Sequence, residues 1–168
     1  LPRGDWQVAG GQYGGAPGTG TSLSLVDLGL GHGLGTSSLL DLSSTLRADA
    51  VGGFVFDVYG RDEFKFVALD AQSDQILVGH HTVRRGWVVG AVASANIEAG
   101  VDYELAASLK GTTVSVSVTN PGEQAPFVLL GHVFNSAVVD GDFGLLGRSG
   151  TTSFDTLTFK TDDAAFVS

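Results

Sequence analysis

The densest meeting of aromatic and hydrogen-bonding side chains in this sequence is His80-His81 followed by Arg84-Arg85-Gly86-Trp87. A pyranose has one apolar face and a polar rim, so an aromatic surface flanked by hydrogen-bonding groups is what a sugar site requires. Pairing a strand at 75–82 with one at 86–94 sets Trp87 beside His80 or His81 and puts both guanidiniums at the turn. Tyr59, His80, Arg84, Arg85 and Trp87 are therefore the residues of a carbohydrate-binding alternative. The plainer reading makes Trp87 core and the arginines a solvated turn, and it is the one expected. Strand alternation puts Trp87, Val89 and Ala91 on the core-facing side, with Gly86, Val88 and Gly90 opposite.

Other chemistries find less support. Adjacent histidines in a strand point to opposite faces, His32 and His132 are remote, and no His-x-x-x-His spacing occurs, which argues against zinc. The chain has no cysteine, which removes disulfides, thiolate metal sites and cysteine nucleophiles together. The glycine-rich run 29–35 lacks the Lys-Ser/Thr ending of a phosphate loop, and no Gly-x-Ser-x-Gly elbow is present. Arg3-Gly4-Asp5 reads as a turn entering the first strand, and Val139-Asp140-Gly141-Asp142-Phe143-Gly144 as a turn leading into a later one. The aspartates form neither an EF-hand loop nor a Gly-Gly-x-Gly-x-Asp repeat. Glycoside hydrolysis needs two carboxyl groups at a set separation, and no pair stands out, so a hydrolase ranks last.

The elements that must position these residues are strands. Val114, Val116 and Val118 alternate with Ser115 and Ser117, while Tyr103, Leu105, Ala107 and Leu109 alternate with Glu104, Ala106 and Ser108. Lys110-Gly111-Thr112 joins these two runs as a hairpin. Phe54, Phe56 and Val58 alternate with Val55, Asp57 and Tyr59. Further strands are expected at 65–70, 75–82, 86–94, 126–133, 143–147 and 153–160. The one helix candidate, 37–50, also alternates through Leu40, Leu42 and Leu46, and its Ser-Ser-Thr content favours strand. Gly10–Gly20 and Gly29–Gly35 read as loops. Many short strands at this spacing argue for an all-β sandwich or barrel; the two-sheet antiparallel sandwich is the expected form, with 1–168 as one domain.

Composition narrows the partners. Nine basic residues against eighteen acidic ones give a net charge of −9, which disfavours nucleic acid and suits calcium with its preference for oxygen ligands. The apolar runs are far too short for a membrane span, so no membrane insertion is expected. The chain lacks methionine even at position 1, and the expectation is a piece from inside a longer secreted polypeptide.

Several stretches together resemble a concanavalin A-like (laminin-G-like) jelly-roll module of large bacterial surface proteins. They are Gly4-Asp5-Trp6-Gln7-Val8, residues 54–59, residues 62–70, Ile76-Leu77-Val78-Gly79-His80-His81, Gly86-Trp87-Val88-Val89, residues 99–105, residues 140–145 and Ser153-Phe154-Asp155. The resemblance implies two curved sheets, and a setting in calcium-dependent RTX-type adhesins or cadherin-repeat proteins, including the "split" adhesin module. It also implies that the first and last strands lie close together, so that calcium at Asp5 or Asp155 would clamp the chain ends. The leading expectation is a non-enzymatic module of a bacterial cell-surface adhesin that holds or spaces neighbouring modules of the same polypeptide. Carbohydrate binding is the alternative.

Overall fold

The computed structural model describes residues 5–8, 13–14, 21–25, 39–48, 50–60, 62–120, 123, 125–126, 128–139, 141–148 and 152–161. Thirteen strands run through them in chain order: β1 (Asp5–Val8), β2 (Tyr13–Gly14), β3 (Thr21–Leu25), β4 (Leu39–Ala48), β5 (Val51–Gly60), β6 (Glu63–Asp70) and β7 (Gln75–Thr82), then β8 (Gly86–Ser94), β9 (Asp102–Lys110), β10 (Thr113–Thr119), β11 (Val128–Val133), β12 (Asp142–Arg148) and β13 (Thr152–Thr161). One sheet has the order β1-β13-β4-β9-β10-β11, with β2 also on β13; the other has the order β3-β12-β5-β6-β7-β8. Every pairing is antiparallel, as the sandwich reading required. The loop readings at 10–20 and 29–35 lie outside the described residues, apart from Tyr13–Gly14, which pairs with β13.

Alternation builds the space between the sheets. Tyr103, Leu105, Ala107 and Leu109 of β9 and Val114, Val116 and Val118 of β10 all point inward and are buried. The hairpin between them turns at Gly111, whose φ of 61° lies in the left-handed region that glycine adopts without strain. Residues 39–48 are strand, and Leu40, Leu42 and Leu46 enter the same core at 1% exposure each. The opposite sheet contributes Phe54, Phe56, Val67, Leu69, Ile76, Val78, Phe143 and Leu145.

The six-stranded sheet is apolar on its other face as well. Val55, Phe66, Ala68 and Leu146 form a second buried cluster there, with Val58 and Phe64 among its members. Val58 was expected on the side of Phe54 and Phe56, and the structure corrects this. Asp57 has a φ of 51°, and the β5–β6 register is irregular between Phe56 and Gly60. A left-handed residue breaks the period of two, so Val58 emerges on the face of Val55.

At this irregularity sits a buried ion pair. Lys65 Nζ donates to Asp57 Oδ2, and the two side chains are 10% and 5% exposed. Lys65 also donates to the Ala137 carbonyl at 3.2 Å, and its ammonium lies 5.5 Å from the centre of the Phe134 ring. One cation thus ties β5 and β6 to the segment that carries the chain from β11 back to β12. Removing one partner of a buried pair leaves a charge without its counter-ion in a poorly solvating interior. Lys65→Ala is expected to lower unfolding free energy by about 3–5 kcal/mol in denaturant titration. A loss below about 1 kcal/mol, the value of an exposed pair, would show that water reaches this site.

Candidate functional site

The β5–β6 and β7–β8 turns project from the same end of the six-stranded sheet, because Glu63 opens β6 opposite Gly60 and Phe64 pairs with His81. Between them lies a depression of about 550 Å³ lined by Glu63, His80, Thr82, Arg84 and Arg85. Local chemistry shapes the turn. The Arg85 N–H donates to Thr82 Oγ1 at 3.1 Å, and the Val83 N–H donates to Glu63 Oε1 at 3.3 Å. Gly86, at a φ of 65°, then leads into β8. These bonds hold the backbone of the turn while the two arginine side chains stay exposed.

His80 and Thr82 sit two apart in β7 and share a face, as alternation predicts. Lys65 is directly across from His80 in the sheet register. Partial burial, with Lys65 and then Arg85 nearby, holds the His80 imidazole below its ordinary value of 6.5, against a smaller opposite effect of Glu63; His132 adds to the lowering. At neutral pH, His80 therefore meets the depression as an uncharged ring that can both donate and accept.

Of the five residues in the sugar-binding alternative, the structure brings together His80, Arg84 and Arg85. Trp87 does not join them. It pairs with His81 on the opposite face of the sheet, where its ring packs edge-on against Phe64, Phe66 and His81 at centroid distances of 5.6, 5.1 and 4.9 Å. His81 stacks on Phe64 and its Nδ1 lies 2.8 Å from the Asp62 carbonyl oxygen, so the adjacent histidines do face opposite ways. Tyr59 is 69% exposed at the end of β5 and does not line the depression.

The expected common face of Trp87, Val89 and Ala91 is also corrected. Val78 pairs with Ala91 but Gly79 pairs with Val89, so Gly90 is an extra residue in β8. This bulge sends Ala91 toward the inter-sheet core and Trp87 to the second cluster, and leaves Val89 at 46% exposure. A Cβ on Gly90 would come within 2.7 Å of His132 Nε2, on the facing edge strand β11, so a side chain there would push that imidazole aside.

A second recess crosses the outer face of the seven-stranded sheet. Register aligns Thr158, Ser43, Ala106, Ser117 and Leu129 in one row and Lys160, Asp41, Ser108 and Ser115 in the next. Their short side chains leave a furrow of about 440 Å³. The serines of β10 were recognised as the outward face, but the furrow depends on five strands being aligned, which no single segment shows.

Asp5 pairs with Lys160 across β1 and β13, so the first and last strands are indeed neighbours. Asp155 lies five residues further along β13, roughly 16 Å away at strand rise, in the irregular stretch between Phe154 and Leu157. Among the described residues no three His, Asp or Glu side chains come together as a metal-binding group. None of the candidate helices or strands includes a helix long and apolar enough to cross a membrane among the described residues.

No protein-family model matches the chain, and no curated protein matches it in sequence. Solved structures do match in fold. The carbohydrate-binding module CBM66 from Bacillus subtilis superposes with a TM-score of 0.70 at 16% identity, over 95% of this chain and 96% of that one. A lectin from Bauhinia forficata in complex with GalNAc gives 0.65 at 12% identity, over 95% and 93%. The exoplasmic/lumenal domain of VIP36, in its Ca2+/Man3GlcNAc-bound form, gives 0.60 at 10% identity, over 86% and 76%. The fold is a concanavalin A-like jelly roll. At these identities the likeness concerns the fold alone.

Two outcomes follow from this geometry. Trp87 is half-buried, so Trp87→Ala should cost about 2–3 kcal/mol, less than the 3–5 of a fully buried tryptophan, in urea titration. A full core-sized loss would mean that the ring is more deeply packed than the edge-on contacts imply. His80 should titrate below 6.5 by NMR in the folded protein. The unfolded chain then binds the proton first, so the contribution of His80 to stability is complete above 6.5 and declines as pH falls toward the folded value. A His80→Gln variant should flatten that slope.

Proposed function

We propose that this chain is a non-enzymatic carbohydrate-binding module, with the sugar held in the depression between the β5–β6 and β7–β8 turns. The observation that carries this reading is the convergence of Glu63, His80, Thr82, Arg84 and Arg85 on one recess, over a turn already held by its own hydrogen bonds. A sugar presents hydroxyls that both donate and accept. The recess offers a carboxylate acceptor, a hydroxyl, a neutral imidazole and two guanidinium forks to meet them. Preorganisation of the turn lowers the ordering cost that would otherwise weaken binding.

The solved structures similar in fold include a carbohydrate-binding module and lectins, which supports the reading. Among the described residues the recess is lined by one carboxylate, whereas glycoside hydrolysis uses two, which supports binding over turnover. In the bacterial-surface setting that the sequence resemblance implies, holding a glycan is itself adhesion. In that setting the spacing role expected from sequence becomes secondary to binding. Calcium has no assigned part in the recess.

A glycan array followed by titration calorimetry tests the reading. Arg85 is exposed, so Arg85→Ala should leave stability within about 0.5 kcal/mol while weakening glycan binding at least tenfold. Ser117→Phe, which fills the furrow on the other sheet, should leave binding unchanged. The reverse pattern would move the sugar to the furrow, and no binding on a broad array would end the carbohydrate reading.

A further inference from the structure

The charges around the recess bear on which sugars it takes. The chain as a whole carries −9, yet among the described residues the recess is lined by Arg84 and Arg85 against Glu63, a formal balance of +1. The nearby cation Lys65 is held in a buried ion pair with Asp57. Glu63 is partly committed as well, because one of its oxygens accepts the Val83 N–H. The Arg85 backbone is fixed by Thr82, while Arg84 and Arg85 both line the recess and both are exposed.

Two adjacent guanidiniums are poorly suited to reading neutral hydroxyls only. Each presents a planar fork of donors and no acceptor, which matches the paired oxygens of a carboxylate or sulfate. From this placement we infer that the recess takes an oxyanion-bearing sugar, either a uronate or a sulfate ester, with Arg84 and Arg85 gripping the anion and Glu63, His80 and Thr82 meeting ring hydroxyls. This rests on the carbohydrate reading above and narrows it. A positive recess on an acidic surface also discriminates: glycans carrying anions are repelled elsewhere on the protein and admitted here.

The test uses the whole chain and two matched probe pairs. One pair is tetragalacturonate with its carboxyl-reduced counterpart; the other is a sulfated galactan oligosaccharide with its desulfated form. At least one charged probe should bind about tenfold or more tightly than its neutral partner, with the preference shrinking as salt rises. The pair that shows the preference identifies the anion. Arg84→Gln combined with Arg85→Gln should abolish the preference without moving the melting temperature. Binding of the charged probe should raise the His80 pKa toward or above 6.5 in NMR titration, an effect that the neutral partner lacks. Equal binding of charged and neutral probes would overturn this inference while leaving the carbohydrate reading intact. A charge preference that survives the double substitution would overturn it by placing the anion elsewhere. Failure of every probe, together with a silent glycan array, would overturn the reading on which it rests.

Discussion

The Lys65–Asp57 pair is the constraint around which one end of this sandwich is organised. A lysine pointing into the space between two sheets is tolerable only with a counter-ion and further acceptors, and Asp57, the Ala137 carbonyl and the Phe134 ring together supply them. Asp57 meets that need from a left-handed backbone conformation. It also requires glycine at position 141, where a Cβ would lie 2.6 Å from the Asp57 carbonyl carbon. The crossing segment, further held by Phe134 and Val138 N–H bonds to the Thr112 and Gly111 carbonyls, is thereby locked over the sheet end. The recess lies beside this locked region, with His80 directly across from Lys65.

Two irregularities decide which way the aromatic and polar residues of this end face. The bend at Asp57 sends Val58 outward, and the extra residue at Gly90 separates Trp87 from Ala91. Without the bulge, Trp87 would share the inward face of Ala91 in the inter-sheet core. With it, the tryptophan covers the outer face of the sheet, and Gly90 lets β8 and β11 approach at His132. The polar recess and the aromatic cluster thus occupy opposite sides of the same few strands. The turn arginines belong to the polar side.

This separation bears on how such a module would hold a sugar. An aromatic platform gains affinity by covering an apolar sugar face, whereas the recess here relies on hydrogen bonds and charge. Charge-assisted contacts on an open surface weaken with salt and favour specificity over raw affinity.

Residue order alone determined most of the architecture. Alternation in β9 and β10, the glycine turn between them and the leucines of β4 placed their strands and inward faces correctly, because a half-buried strand shows its period locally. The β7–β8 hairpin, with Trp87 beside one of the two histidines and arginines at the turn, was legible for the same reason, as was the opposite facing of His80 and His81; register settled that the neighbour is His81. Tertiary structure alone decided the face of Trp87 and of Val58, because a bulge resets the period without leaving a marker beyond one glycine or one aspartate among many. It also decided that Glu63, from a different hairpin, completes the recess that His80, Arg84 and Arg85 begin, and that Tyr59 does not. Contacts between hairpins depend on register and on what each charge must neutralise, and those are properties of the assembled sheets rather than of any one segment.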